Sequence, residues 1–127
     1  MLVEDDDAVR GFAKRGLTRL GYTVVEASNG EQAMELAARS EVQLLLTDVI
    51  MPGISGPELA AKIRGERPTL KVMFMSGYTR NALEPNMLEQ GRSHFVEKPI
   101  AIATLGHALR DLLDSETRTT RGTQPAR

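Results

Sequence analysis

Asp48 closes the apolar run of residues 42–47 and stands directly before Val49, Ile50, Met51, Pro52 and Gly53. A carboxylate at the mouth of a buried strand, followed by a Pro-Gly turn, is placed for chemistry. Its company gives the kind. Glu4 and Asp5 follow the apolar residues 1–3, Ser76 follows 71–75, and Lys98, with Pro99 behind it, follows 94–96. Carboxylates gathered at one point repel one another unless a cation joins them, and hard oxygen donors favour Mg²⁺. An aspartate nucleophile with a metal and an ammonium group against the oxygens of an incoming group is the equipment of phosphoryl transfer, in which positioning and charge neutralisation dominate.

Those residues are far apart in sequence, so the fold must bring them together. Short runs rich in Val, Leu and Met alternate with longer amphipathic stretches, the pattern of βα units in a doubly wound parallel sheet. Five strands are predicted, at 1–3, 23–26, 43–47, 71–75 and 94–96. In an open parallel sheet ligands bind beyond the C-terminal ends of the strands, and each candidate residue falls at that edge. A first helix over 7–20 places Val9, Phe12, Ala13, Leu17 and Leu20 inward and stops at Gly21. A second over 30–39 buries Ala33, Leu36 and Ala37. Gly56 and Pro57 open a third, with Leu59, Ala60 and Ile63 facing the sheet, and a last helix over 103–113 carries Leu105, Ala108, Leu109 and Leu112. Pro85 interrupts 81–90, so the fourth connection is predicted to hold a short or displaced helix. The domain is expected to span 1–114. Residues 116–127 hold no apolar side chain but Ala126, and 115–127 are expected to be a disordered tail.

The chain has 127 residues, 41% of them hydrophobic, and a net charge of -1, which suits one soluble domain with no general attraction to nucleic acid or anionic membrane. It has no cysteine, which excludes disulfides, thiolate metal sites and cysteine nucleophiles. The sequence offers no stretch of transmembrane length and no signal peptide, so a cytoplasmic location is expected for the domain, even if a parent protein is membrane-anchored. Residues 1–3 make a very short opening strand for the centre of a sheet, which suggests a start inside a longer protein.

Taken together, Glu4-Asp5-Asp6 after Leu2-Val3, the run from Thr47 to Gly53 with Gly56, Met75-Ser76-Gly77, and Lys98-Pro99 resemble the receiver domain of two-component response regulators. The resemblance covers residues 2–113. It implies a three-layer flavodoxin-like (βα)5 fold with strand order 2-1-3-4-5. It also implies that Asp48 accepts the phosphoryl group, and that Glu4, Asp5, Asp48 and the backbone carbonyl of Ile50 bind Mg²⁺. Ser76 and Lys98 would contact the phosphoryl group, and Phe95 stands where the family has its switch aromatic. The implied partner is a histidine kinase or a histidine phosphotransfer protein, and the implied event is self-modification followed by a conformational switch, not turnover. The runs at 51–59 and 74–78 look most like receivers fused to bacterial hybrid sensor histidine kinases, with a free-standing single-domain regulator as the alternative. Ile50 and Tyr78 depart from the pattern: both are bulky and flank the water path to an acyl phosphate, which predicts slow self-hydrolysis.

Blander readings exist for each residue. Asp6 or Asp7 fits a helix cap better than a ligand, Ser76-Gly77 could be a plain turn, and Phe95 could be simple core. An aspartyl phosphatase of the haloacid-dehalogenase type also combines Asp, a hydroxyl, Lys and Mg²⁺, but it needs a second acid where Ile50 stands. A receiver-like interaction domain that is never phosphorylated usually lacks the acceptor or the lysine, and both are present here.

Overall fold

Among the described residues the βα alternation is realised as a five-stranded parallel sheet between two pairs of helices. The computed structural model describes residues 1–76 and 93–122, with side chains at 1–76 and 94–114. The elements are β1 (Leu2–Val3), α1 (Asp7–Arg19), β2 (Glu26–Ala27), α2 (Gly30–Arg39), β3 (Leu44–Asp48), α3 (Gly56–Glu66), β4 (Lys71–Ser76), β5 (Ser93–Glu97) and α4 (Ile102–Gly122). Strand order is β2-β1-β3-β4-β5, all parallel, as the resemblance implies. The fourth connection with Pro85, and Tyr78, lie outside the described residues.

Strands buried on both faces need apolar residues at consecutive positions, and β3 and β4 supply them. Val3, Leu45, Val72 and Phe74 point to one face, where α2 and α3 cover them with Ala33, Ala37, Leu59, Ala60 and Ile63. Leu2, Leu46, Met73, Met75 and Val96 point to the other, under Ala13 and Leu17 of α1 and Leu105, Leu109 and Leu112 of α4. Among the described residues no helix is long and apolar enough to cross a membrane.

Three features differ from the sequence pattern. Phe12 and Leu20 are not core residues, being 44% and 48% exposed. The inner stripe of α1 is instead Ala13, Gly16 and Leu17, because Gly16 lets Ile102 of α4 approach where any Cβ would overlap it. The second strand pairs only at Glu26 and Ala27, not from 23, because β1 offers a partner only from Leu2 onward. The last helix runs on to Gly122, so the first part of the expected tail has helical backbone. No glycine or proline lies between Gly106 and Gly122 to stop it, and extending a formed helix is far easier than starting one.

Candidate functional site

Each candidate side chain leaves the sheet at the same edge because each follows a parallel strand of similar register. Asp48 ends β3, paired with Met75 of β4, and Ser76 ends β4, paired with Glu97. The Val49 N–H donates to the Met75 carbonyl at 3.0 Å, and the Lys98 N–H donates to the Ser76 carbonyl at 2.9 Å. These bonds carry the ladder past the strand ends and fix where Asp48 and Lys98 begin. A cis peptide bond joins Lys98 and Pro99.

The result is a compact charged cluster. Glu4 is 1% exposed, Asp48 is buried beside it, and Asp5 lies at the surface. One oxygen from each of the three lies within 4.8 Å of the other two. Lys98 Nζ donates to Asp48 Oδ2 at 2.9 Å and stands 2.7 Å from Glu4 Oε1. The second contact is an ion pair without hydrogen-bond alignment, and among the described residues Glu4 Oε1 has no hydrogen-bond partner. Glu4 Oε2 accepts from the Asp6 N–H at 3.0 Å.

Three carboxylates thus face one ammonium group, and the local charge is left negative. Burial pushes the Glu4 carboxyl above the usual carboxylate value, with Asp48 adding to the rise, while Lys98 and the Asp6 N–H pull the other way without cancelling it. For Lys98 burial opposes the charge, but the contacts with Glu4 and Asp48 outweigh it and raise its pKa. The two directions bear on one contact and favour opposite partners: Lys98 stays charged, and Glu4 stays under-compensated. A second cation would meet that deficit, and an all-oxygen donor set with one buried, unaligned carboxylate oxygen fits a hard divalent ion.

The neighbouring loops hold this arrangement. Asp6 caps α1, accepting from the N–H groups of Ala8 at 2.9 Å and Val9 at 3.0 Å, so it is occupied as a cap. Gly56 permits the return of the chain after Asp48: its N–H donates to the Val49 carbonyl at 2.8 Å, and a Cβ there would overlap the Asp48 carbonyl oxygen. Gly53 takes φ +80, which favours glycine. Ile54 sits against Gly30 at the start of α2, tying the loop to a second helix.

Ile50, two residues after Asp48, is 55% exposed, an apolar side chain standing free beside a charged site. Ser76 is buried at the strand end. Phe95 is half-buried and packs with Phe74 on the α2–α3 face, so it borders the core rather than the charged cluster. Arg10 is the residue that sequence reasoning missed. Its guanidinium donates to the Glu4 carbonyl at 2.8 Å, to Asp7 at 2.6 Å and to Glu26 at 3.3 Å, which clamps the acidic loop to α1 and β2. The available signal was the Asp7–Arg10 spacing in the first helical turn.

Comparison with known proteins gives a consistent picture. A profile described as the response regulator receiver domain matches residues 1–110. The sensor kinase CckA of Brucella abortus is 36% identical over 118 residues, covering 91% of this chain and 12% of that protein. The chain thus spans a small part of that relative's length. The response regulator receiver protein CpdR of the same organism is 34% identical over 113 residues, covering 89% of this chain and 94% of that one. Among solved structures, the receiver domain of the hybrid histidine kinase CckA is 42% identical with a TM-score of 0.75, over 88% of this chain and 95% of that one. A CheY-like receiver from Methanospirillum hungatei superimposes with a TM-score of 0.84 at 25% identity, over 93% of this chain and 94% of that one.

Proposed function

The chain belongs to the response regulator receiver family, and from that premise we propose that it is a phosphoacceptor whose Asp48 takes a phosphoryl group from a phosphohistidine. The observation that carries this reading is Lys98 Nζ, bonded to Asp48 and paired with Glu4, with Asp5 completing the carboxylate trio. An Asp48 oxygen attacks phosphorus, the P–N bond to the donor imidazole breaks, and the freed ring nitrogen takes up a proton. Asp48 then carries an acyl phosphate. Lys98 moves from a carboxylate partner to a phosphoryl partner without leaving its place, which costs little reorganisation. Ser76, at the end of β4, would donate its hydroxyl to the new oxygens, and its movement with Phe95 is the proposed switch.

Glu4, Asp5, Asp48 and the Ile50 carbonyl would hold Mg²⁺. When bound, the ion neutralises phosphoryl oxygens during transfer. The domain modifies itself once per donor and is not a turnover enzyme. The donor class is a histidine kinase or a histidine phosphotransfer protein, met in the cytoplasm. A hybrid sensor kinase is the proposed parent, supported by the 42% identity to the CckA receiver. A free-standing regulator is the second reading, favoured by the match over 94% of CpdR.

Intact mass after incubation with an acyl-phosphate donor and Mg²⁺ tests the proposal. One labile phosphoryl increment is expected, absent from Asp48→Asn and absent with EDTA. No increment in the parent chain under any condition would overturn it. The exposed Ile50 supports slow self-hydrolysis, so Ile50→Asn is expected to shorten the acyl-phosphate lifetime several-fold by admitting and orienting water. An unchanged lifetime would remove Ile50 from that role.

A further inference from the structure

Asp5 is the least restrained member of the carboxylate trio. Glu4 and Asp48 are buried and bridged by Lys98, whereas Asp5 is exposed, and among the described residues no hydrogen bond or ion pair holds its carboxylate. Yet one of its oxygens lies within 4.8 Å of an oxygen of Glu4 and one of Asp48. With no partner on the side chain, that placement comes from the backbone.

The backbone is held on both sides of Glu4. Its N–H donates to the Ala27 carbonyl at 3.1 Å, which docks it on β2. Its carbonyl accepts from Arg10 Nη1 at 2.8 Å. A peptide unit is planar, so the bond that orients the Glu4 carbonyl also orients the Asp5 nitrogen and Cα. Arg10 is itself tied down: Nη2 donates to Asp7 Oδ1 at 2.6 Å, and Nε donates to Glu26 Oε1 at 3.3 Å. A guanidinium is a rigid plane, and bonds to three separate partners leave it little freedom. Glu26 also accepts from Lys14 Nζ at 2.6 Å and stands next to Ala27 in β2. Both restraints on the Glu4–Asp5 junction therefore return to the same two residues of β2.

Charge and position make opposite demands on Arg10. A cation beside three carboxylates lowers their attraction for a further cation, so if Arg10 acted through charge, its removal would tighten metal binding. Mg²⁺ requires near-ideal geometry from its oxygen ligands, so if Arg10 acts through position, its removal weakens metal binding.

We propose that Arg10 is a positioning residue for the divalent-ion site: its fork orients the Glu4 carbonyl and so sets Asp5 within reach of the ion. This inference rests on the Mg²⁺ assignment made above and adds to it a side chain outside the ligand set. Backbone amide NMR shifts during titration with MgCl2 alone, at fixed ionic strength, give the Mg²⁺ dissociation constant of the parent, Arg10→Met, Arg10→Lys and Lys14→Met. Arg10→Met is expected to weaken binding about tenfold, the scale for losing a group that orients a metal ligand. Arg10→Lys keeps the charge and loses the fork, and is expected to weaken binding as well; it decides the question alone if Arg10→Met does not fold. Lys14→Met takes a cation from the same Glu26 carboxylate without touching Glu4, and is expected to stay within about twofold of the parent. Unchanged or tighter binding in Arg10→Met would overturn the proposal, as would parent-like binding in Arg10→Lys, an equal loss in Lys14→Met, or a parent chain that bound no Mg²⁺. Weakened binding in Arg10→Met beside a parent that took up no phosphoryl group would support this inference and remove the phosphoacceptor reading alone.

Discussion

The two ends of β1 and β3 are built from the same ladder and behave as opposites. At the C-terminal end Asp48 and Glu4 are buried, Lys98 bridges them, and Gly56 leaves no room behind the Asp48 carbonyl. At the N-terminal end residues 21–25 and 41–44 border a cavity of about 410 Å³ that Leu109 and Leu113 also line. Charge is crowded where geometry is tight, and apolar surface is bare where pairing runs out. A site that must hold like charges together needs many constraints for each atom.

Lys98→Ala attacks the crowded end most directly. It removes the one described cation that balances Glu4 and Asp48, so phosphoryl incorporation at Asp48 is expected to fall about 100-fold, the usual scale for losing a preorganised charge partner. Time-resolved intact mass with the same small donor reads this. A rate within a few-fold of the parent would show that Lys98 holds carboxylates together without acting on the phosphoryl group.

The next effect compares core packing at the filled and open ends. Leu59, fully buried between α3 and the sheet, is expected to lose about 3 kcal/mol on substitution by alanine. Leu109 is also buried but lines the cavity, so its neighbours have room to relax and Leu109→Ala is expected to cost about 2 kcal/mol. Urea denaturation of both variants measures the difference. Equal losses would mean that the cavity does not soften the packing around it.

This contrast also shows what the sequence could tell. Asp48, Ser76 and Lys98 were legible because each closes an apolar run, and parallel strands deliver such ends to one edge. Glu4 and Asp5 were legible for the same reason after β1. Arg10 was not, because its role depends on reaching the Glu4 carbonyl and Glu26 across the fold, and no local pattern encodes that. Phe12 and Leu20 mislead because apolar size does not fix inwardness: the close contact of α1 with α4 belongs to Gly16. The short β2 was illegible too: residues 23–26 have the composition of a strand, but pairing needs a neighbour, and β1 supplies one only from Leu2.

The smallest effect lies where the tight end hands over to α3. Ser55 caps that helix, its hydroxyl accepting from the Glu58 N–H at 3.3 Å while Glu58 accepts from the Ser55 N–H at 3.1 Å. Ser55→Ala removes the first bond, for an expected loss of about 1 kcal/mol, and also the hydroxyl's smaller share in lowering the Glu58 carboxyl, so only part of that loss depends on pH. Glu58→Gln acts differently. The Ser55 N–H, then its hydroxyl, hold the Glu58 carboxyl below the ordinary value of 4.5. A lowered folded pKa means that the unfolded chain binds the proton more readily, so this contribution is fully present above 4.5 and is lost as pH falls through the folded pKa. The stability gap between the parent and Glu58→Gln should therefore close on acidification, while the gap to Ser55→Ala closes only in part. Thermal melts of the three proteins from neutral pH downward separate the two. A Glu58→Gln gap that stayed constant with pH would mean that the carboxylate charge contributes nothing to the cap.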